Sequence, residues 1–283
     1  MNLLLLIEQL TTGGKIVIGI FFAILLGMLF YFALKMAELS YVMKRKKPFY
    51  VHSPFFLKQL NEPQKLILQN QFKFYNKLNS KYKKYFEHRV ASFIADKEFV
   101  GRSGLQITEE MKVLISATAV MLTFGFRDFY IALVNNIFIY PEEFYSTIND
   151  DYHKGKFNPK LQTLVLSWKD FKKGFAIDND NLNLGIHEFA HAIHLNSIKE
   201  RDVSSTIFSD SFKELTTLLS NEETLRKDLI ASKYFRDYAY TNQFEFIAVI
   251  IETFIETPDE FKSLFPEIYD KTKQMLNFNF AGY

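Results

Sequence analysis

Five consecutive residues, His187-Glu188-Phe189-Ala190-His191, carry the clearest chemistry in this sequence of 283 residues. On a helix, residues i and i+4 share one face, so both imidazoles can reach one metal ion while Glu188 holds a metal-bound water. The composition of the chain gives a chance HExxH odds of roughly one in a hundred. A buried helix with two hydrogen-bonded histidines is the structural alternative, but two histidines and a carboxylate are costly to bury without a purpose. We therefore expect a catalytic zinc site.

A catalytic zinc needs a third protein ligand and an open position. The sequence contains no Cys, so the ligand must be a histidine or a carboxylate. The apolar helix predicted from about 243 to 256 carries Glu245 and Glu252, two turns apart on one face. Asn242 and Glu245 could also form a capping box, whereas Glu252 has no such structural explanation. Either glutamate can be the ligand, and the other would then support a zinc-bound histidine.

An uncharged run of 19 residues, 16–34, precedes this domain. A helix needs ~20 apolar residues to cross a bilayer. A cleaved signal peptide would have a shorter run and a small-residue cleavage site, so we favour a transmembrane anchor. The basic cluster at 44–47 puts the C-terminal side in the cytoplasm and could also hold the chain close to anionic headgroups. The sequence predicts a single-pass protein of an inner or plasma membrane, with its catalytic domain in the cytoplasm and the bilayer as a partner.

The chain divides into an anchor with a basic segment (1–47), a proline-containing linker (48–63) and a domain (64–283). The apolar stretch 113–126 is too short to span a membrane and predicts a buried core helix. Other expected elements are helices over 64–95, 184–196, between 208 and 235, and 243–256, and strands at 136–140 and 161–168. These elements predict an α+β fold dominated by helices, with a small sheet. The strand at 161–168 could be an edge strand that pairs with an extended peptide.

Composition and charge exclude several classes of protein. The 48% of hydrophobic residues excludes a disordered chain. The absence of Cys excludes iron–sulfur clusters and thiol nucleophiles. Residues 1–47 carry six basic and two acidic side chains, which leaves 28 basic and 30 acidic residues of the total 34 and 32 for the rest. We expect no nucleic-acid partner, because the positive excess is not on the folded part.

Taken together, the motifs resemble the Mlc titration factor A family of zinc peptidases, which in turn resembles the catalytic domain of anthrax lethal factor. The matching pieces follow one order over roughly residues 60–275: Phe93-Ile94-Ala95-Asp96-Lys97-Glu98-Phe99, Gly101, Gly104-Leu105, Tyr140-Pro141, Val165-Leu166-Ser167-Trp168, His187-Glu188-Phe189-Ala190-His191, Tyr238-Ala239-Tyr240-Thr241-Asn242, Glu245-Phe246-Ile247-Ala248-Val249, Glu252, Pro266 and Tyr269. Such an ordered series is far more specific than HExxH alone.

The resemblance implies a zincin-like domain that binds Zn²⁺ through His187, His191 and Glu245. It implies that Glu188 is the general base and that the phenol of Tyr238 stabilises the oxyanion. The family proteins are soluble, so the anchor lies outside the resemblance.

Two supporting residues complete the predicted site. With Glu245 as the ligand, Glu252 would support a zinc-bound histidine through a hydrogen bond. His194 stands where the family has an Asp. It lies on the ligand face but ~10 Å along the helix axis from His187, so we expect it at the rim of the site rather than on the ion.

The sequence thus predicts a membrane-anchored zinc metallopeptidase that hydrolyses peptides or proteins, and the resemblance implies aminopeptidase-like activity on short substrates. The alternative is a regulatory protein that captures a transcriptional repressor, as the family's namesake role permits, with an incidental zinc site. A third interpretation is a helical membrane protein with a chance motif. A pure binder has no need of Glu188 or Tyr238, so their presence favours the enzyme.

Overall fold

The computed structural model describes residues 11–146, 150–177 and 179–283. These residues fall into two compact units, one up to Phe49 and one from Tyr50 to Tyr283. In the first unit, α1 (Thr12–Arg45) starts where the Thr11 hydroxyl accepts a hydrogen bond from the amide of Gly14, 3.3 Å away. Among the described residues, α1 is the one helix long and apolar enough to cross a membrane. It contains the predicted span, 16–34.

The second unit combines eleven α-helices of the described residues with short strands. The helices are α2 (Glu62–Gln71), α3 (Lys73–Lys77), α4 (Ser80–Asp96), α5 (Glu109–Leu122), α6 (Trp168–Ala176), α7 (Leu184–Lys199), α8 (Val203–Asn221), α9 (Glu223–Ser232), α10 (Gln243–Glu256), α11 (Pro258–Leu264) and α12 (Pro266–Leu276), with a 3₁₀ turn at Asp237–Tyr240. The strands are β1 (Glu98–Gly101), β2 (Asn136–Tyr140), β3 (Phe144–Ser146), β4 (Asp151–His153), β5 (Gly155–Asn158) and β6 (Thr163–Ser167). This architecture confirms the predicted helix-dominated α+β class.

The apolar stretch at 113–126 forms the core helix that the sequence predicts. Thr108 caps α5 by accepting a hydrogen bond from the amide of Met111, 3.3 Å away. Every side chain from Val113 to Leu122 is buried, as are Phe124 and Phe126. A helix that is apolar on all sides must be enclosed by other elements, and α5 packs between α2, α4 and α7.

One four-stranded sheet has the order β1-β2-β6-β5. β1, β2 and β6 are parallel, whereas β5 is antiparallel to β6. The expectation that 161–168 forms an edge strand is therefore wrong. Leu164 pairs with Ile137 on one side and with Phe157 on the other, so both edges of β6 are occupied. The described edge strand next to β6 is β5, and a separate hairpin joins β3 to β4.

Residues 50–60, within the segment predicted as a linker, belong to the second unit and are held against its helix α4. The guanidinium of Arg89 donates to the carbonyl of Val51 over 2.8 Å. The backbone amide of Lys58 donates to Nδ1 of His88 over 2.8 Å, and Leu60 is buried. Two consecutive residues of α4 thus hold both sides of a short loop.

Candidate metal centre

Two capped helices, α7 and α10, pack against each other and position the predicted site. Asn183 caps α7 by accepting from the amide of Ile186, and its own amide group donates to the carbonyl of Gly174. Asn242 caps α10 by accepting from the amides of Phe244 and Glu245, each at 2.9 Å. The cap fixes the first turn of α10, where Glu245 lies.

Three side chains converge at the crossing of these helices. Nε2 of His187 lies 3.0 Å from Nε2 of His191, and Oε2 of Glu245 lies 3.2 Å and 3.3 Å from these two nitrogens. Zinc ligands at about 2.0–2.1 Å in a tetrahedral site are separated by about 3.3 Å from one another. The donor set and its spacing therefore fit a zinc ion. Within the described ranges, this is the one such group of three.

Glu245 is capped at its amide, but its carboxylate does not complete the expected capping box. It lies against the two histidines instead. The hydrogen bond with His187 lowers the pKa of Glu245, although burial opposes this. A carboxylate that stays ionised beside two imidazoles is a suitable metal ligand.

Glu252 contacts the other nitrogen of His187. Its Oε1 lies 2.5 Å from Nδ1, and its side chain is almost completely buried. An N–H donated from Nδ1 to this carboxylate leaves the lone pair of Nε2 facing the centre of the site.

Arg236 supports this glutamate and was not predicted from the sequence. Its Nη2 lies 3.1 Å and 3.0 Å from the two oxygens of Glu252, and its Nη1 donates to the carbonyl of Asn181. The position of Glu252 inside an apolar helix does predict a positively charged partner, because a buried carboxylate needs one. The sequence offers no means to choose Arg236 over another cation.

Glu188 projects from α7 toward the edge strand β5. Burial raises its pKa to about 7, while the positive charge of His187 and the backbone amide of Phe157 oppose the shift. A pKa near neutrality suits a general base. A Cβ at Gly155 would lie 2.7 Å from Oε1 and 2.8 Å from Cγ of Glu188. The glycine therefore leaves the space that the Glu188 side chain occupies.

The pKa values of His187 and His191 shift in opposite directions. Burial lowers the pKa of His191 to about 3, and the charge of His187 adds to the effect. Burial also lowers the pKa of His187, but hydrogen bonds to Glu245 and Glu252 outweigh it and raise the pKa to about 9. These shifts favour a protonated His187 and a neutral His191, so a cation bound at Nε2 of His187 would compete with a proton.

Tyr238 lies in the 3₁₀ turn, half exposed, with its ring centroid 6.0 Å from that of His187. Partial burial, together with the charge of Glu245, raises its pKa to about 12. The phenol therefore keeps its proton at neutral pH and can donate a hydrogen bond. It borders a cleft of about 400 Å³ that also exposes His187, Arg236 and Lys154.

His194 is not among the converging residues. Its ring packs on Phe212 and Phe244, with centroid distances of 4.8 Å and 5.9 Å. Burial lowers its pKa to about 4. Phe244 also stacks on His191, with ring centroids 3.8 Å apart, so both histidines contact the same apolar ring.

Two comparisons show which known proteins this chain is similar to. An uncharacterized protein from Synechocystis sp. is 24% identical over 225 residues, which cover 72% of this chain and 79% of that protein. The model of the glucose-regulated metallo-peptidase M90 family matches residues 55–277. The match contains the converging histidines, Glu188, Tyr238 and Glu245, and it confirms the resemblance to the Mlc titration factor A family. The chain therefore belongs to the glucose-regulated metallo-peptidase M90 family.

Proposed function

We propose that this chain hydrolyses peptide bonds with one zinc ion bound by His187, His191 and Glu245. The main support for this proposal is that one atom of each of these side chains converges, 3.0–3.3 Å apart, beside the buried carboxylate of Glu188. A bound zinc ion would polarise the scissile carbonyl and acidify the attacking water.

The protein's own residues supply the remaining chemistry. Glu188 accepts the proton of the attacking water and passes it to the leaving amine. Tyr238, which keeps its proton, donates a hydrogen bond to the oxygen that becomes negative. Glu252 and Arg236 keep His187 oriented toward the ion.

The edge strand β5 is the proposed support for an extended peptide. In the sheet it pairs with β6 on one side, while the backbone amide of Phe157 bonds to Glu188. A substrate strand added along this strand would pass beside the general base. The resemblance favours short substrates and aminopeptidase-like cleavage. A comparison of peptides with free and acetylated N-termini tests that preference, because an aminopeptidase requires the free amine.

Membrane anchoring is a further part of the proposal. The apolar length of α1 supports a single span. The basic residues at 44–47 favour a cytoplasmic domain.

Zinc stoichiometry tests the assigned ligands. Wild-type protein should bind close to one zinc ion per chain, and His191→Ala should lose it. His153→Ala is the matched control, because His153 lies on β4 outside the cluster. Full zinc occupancy in His191→Ala would contradict the proposal.

A further inference from the structure

Phe55 and Phe56 form an exposed aromatic pair at the start of the catalytic domain. Their exposed fractions are 72% and 97%, and Phe56 is the most exposed large apolar side chain among the described residues. Two adjacent phenylalanines without cover indicate a binding surface rather than a solvated loop.

The loop that carries them, residues 53–57, is fixed at both sides. Before it, the Val51 carbonyl accepts from Arg89, and the ring of His52 stacks on Tyr85 with centroids 4.7 Å apart. After it, the amide of Lys58 donates to His88. The loop is therefore held in place while its aromatic side chains face outward.

The surrounding sequence indicates what the pair contacts. Residues 39–61 contain five basic side chains, five aromatic side chains and no Asp or Glu. Aromatic rings with nearby Lys and Arg are typical of segments that lie at a membrane interface, and the positive charge favours anionic lipids. Phe55 follows Arg45, the last residue of α1, by ten residues, which span at most about 35 Å. The loop can therefore reach the surface of a membrane that α1 crosses.

We propose that loop 53–57 inserts Phe55 and Phe56 into the interface of the anionic membrane in which α1 is anchored. This inference rests on the proposed anchor. The contact would hold the first residues of the catalytic domain at the lipid surface through a loop that is fixed on both sides, in addition to the covalent connection.

Fluorescence quenching in vesicles tests this contact. The full-length chain with Phe56→Trp is reconstituted into vesicles of phosphatidylglycerol and phosphatidylcholine that contain brominated acyl chains. The wild-type chain, with Trp168 alone, gives the baseline. Leu264→Trp is the matched control, because Leu264 is exposed at 51% on α11.

We expect the introduced indole of Phe56→Trp to emit at shorter wavelength and to be quenched at least twofold more than that of Leu264→Trp. If the protein floats with the vesicles but its introduced indole is not quenched, the inference is overturned while the anchor still stands. Protein that does not float would overturn the anchor and the inference together. Equal quenching in vesicles of phosphatidylcholine alone would overturn the role of anionic lipid.

Discussion

Glu252 lies against the nitrogen of His187 that faces away from the proposed metal site, with 2.5 Å between Oε1 and Nδ1. Glu245, seven residues earlier on the same helix, contacts the opposite nitrogen of the same imidazole. The spacing of two turns thus places one carboxylate on each side of one histidine. In the proposed site, Glu245 is the ligand and Glu252 the supporting carboxylate, and both contact this single ring.

Arg236 should strengthen zinc binding without contacting the ion, because it holds Glu252 in place. We expect Arg236→Gln to weaken zinc affinity by about 10–100-fold, as is usual for the loss of a group that orients a metal ligand. Competition with a chromogenic chelator measures the affinity. Arg226→Gln is the control, because Arg226 donates to the backbone carbonyls of Leu219 and Ser220 and not to a residue of the proposed metal site. Equal affinities of wild type and Arg236→Gln would show that Glu252 needs no such support.

Gly155 should be needed for activity because a larger residue displaces Glu188. The added methyl group of Gly155→Ala would meet Cδ1 of Leu184 at 2.6 Å and Oε1 of Glu188 at 2.7 Å, so both α7 side chains must shift. A misplaced catalytic group can cost on the order of 10²-fold in turnover. We expect that loss with zinc occupancy retained, as measured by peptide hydrolysis and metal analysis of the same sample. Wild-type turnover in Gly155→Ala would mean that Glu188 tolerates displacement or is not the base.

His52 should make the domain less stable in acid. Burial, reinforced by the charges of Arg89, Lys81 and His88, lowers its pKa to about 3, whereas an unfolded histidine titrates near 6.5. The unfolded chain therefore gains a proton first as pH falls. The stability contributed by neutral His52 is complete above about pH 6.5 and is lost toward about pH 3, by at most ~1.4 kcal/mol per pH unit.

The variant His52→Phe keeps an aromatic ring between Tyr85 and Phe124 but removes this titration. Urea unfolding of residues 50–283 measures the free energy of unfolding of both proteins. The difference in free energy of unfolding between wild type and variant should be constant above about pH 7. Below about pH 6 it should shift in favour of the variant. Parallel curves down to about pH 4 would contradict the assignment.

The direction of α1 in the membrane gives a separate prediction. A tag at Tyr283 should be protected from protease in intact cells, and a tag at Met1 should be accessible, because a basic cluster such as 44–47 favours the cytoplasmic side of a span. Permeabilised cells provide the control for tag cleavage. The reverse pattern would place the peptidase site outside the cytoplasm and would exclude a cytoplasmic repressor as its partner.

Local sequence patterns predict much of this molecule. The HExxH helix follows from the i, i+4 spacing of its histidines, the strand at 136–140 follows from a run of β-forming residues that Pro141 ends, and α10 has the predicted bounds. The choice between Glu245 and Glu252 does not follow from their spacing, because both lie on one face. It depends on how α10 crosses α7, which is a tertiary property.

The other features that the sequence does not predict also depend on tertiary packing. An apolar strand such as β6 has the same sequence pattern at the edge of a sheet as inside it. Its side chains do not indicate which of its backbone groups bond to a neighbouring strand. Arg236 and Gly155 reach the site through contacts distant in sequence, with Glu252 and Glu188 respectively. Such contacts appear only when the helices and the edge strand are packed together.

The turnover of Glu188→Gln, measured together with its zinc content, tests the proposed zinc-dependent hydrolysis most directly. Glutamine preserves the shape of the side chain but cannot accept the proton of the attacking water. We expect close to one zinc ion per chain in both proteins and peptide hydrolysis only in the wild type. Unchanged hydrolysis by zinc-loaded Glu188→Gln would contradict it.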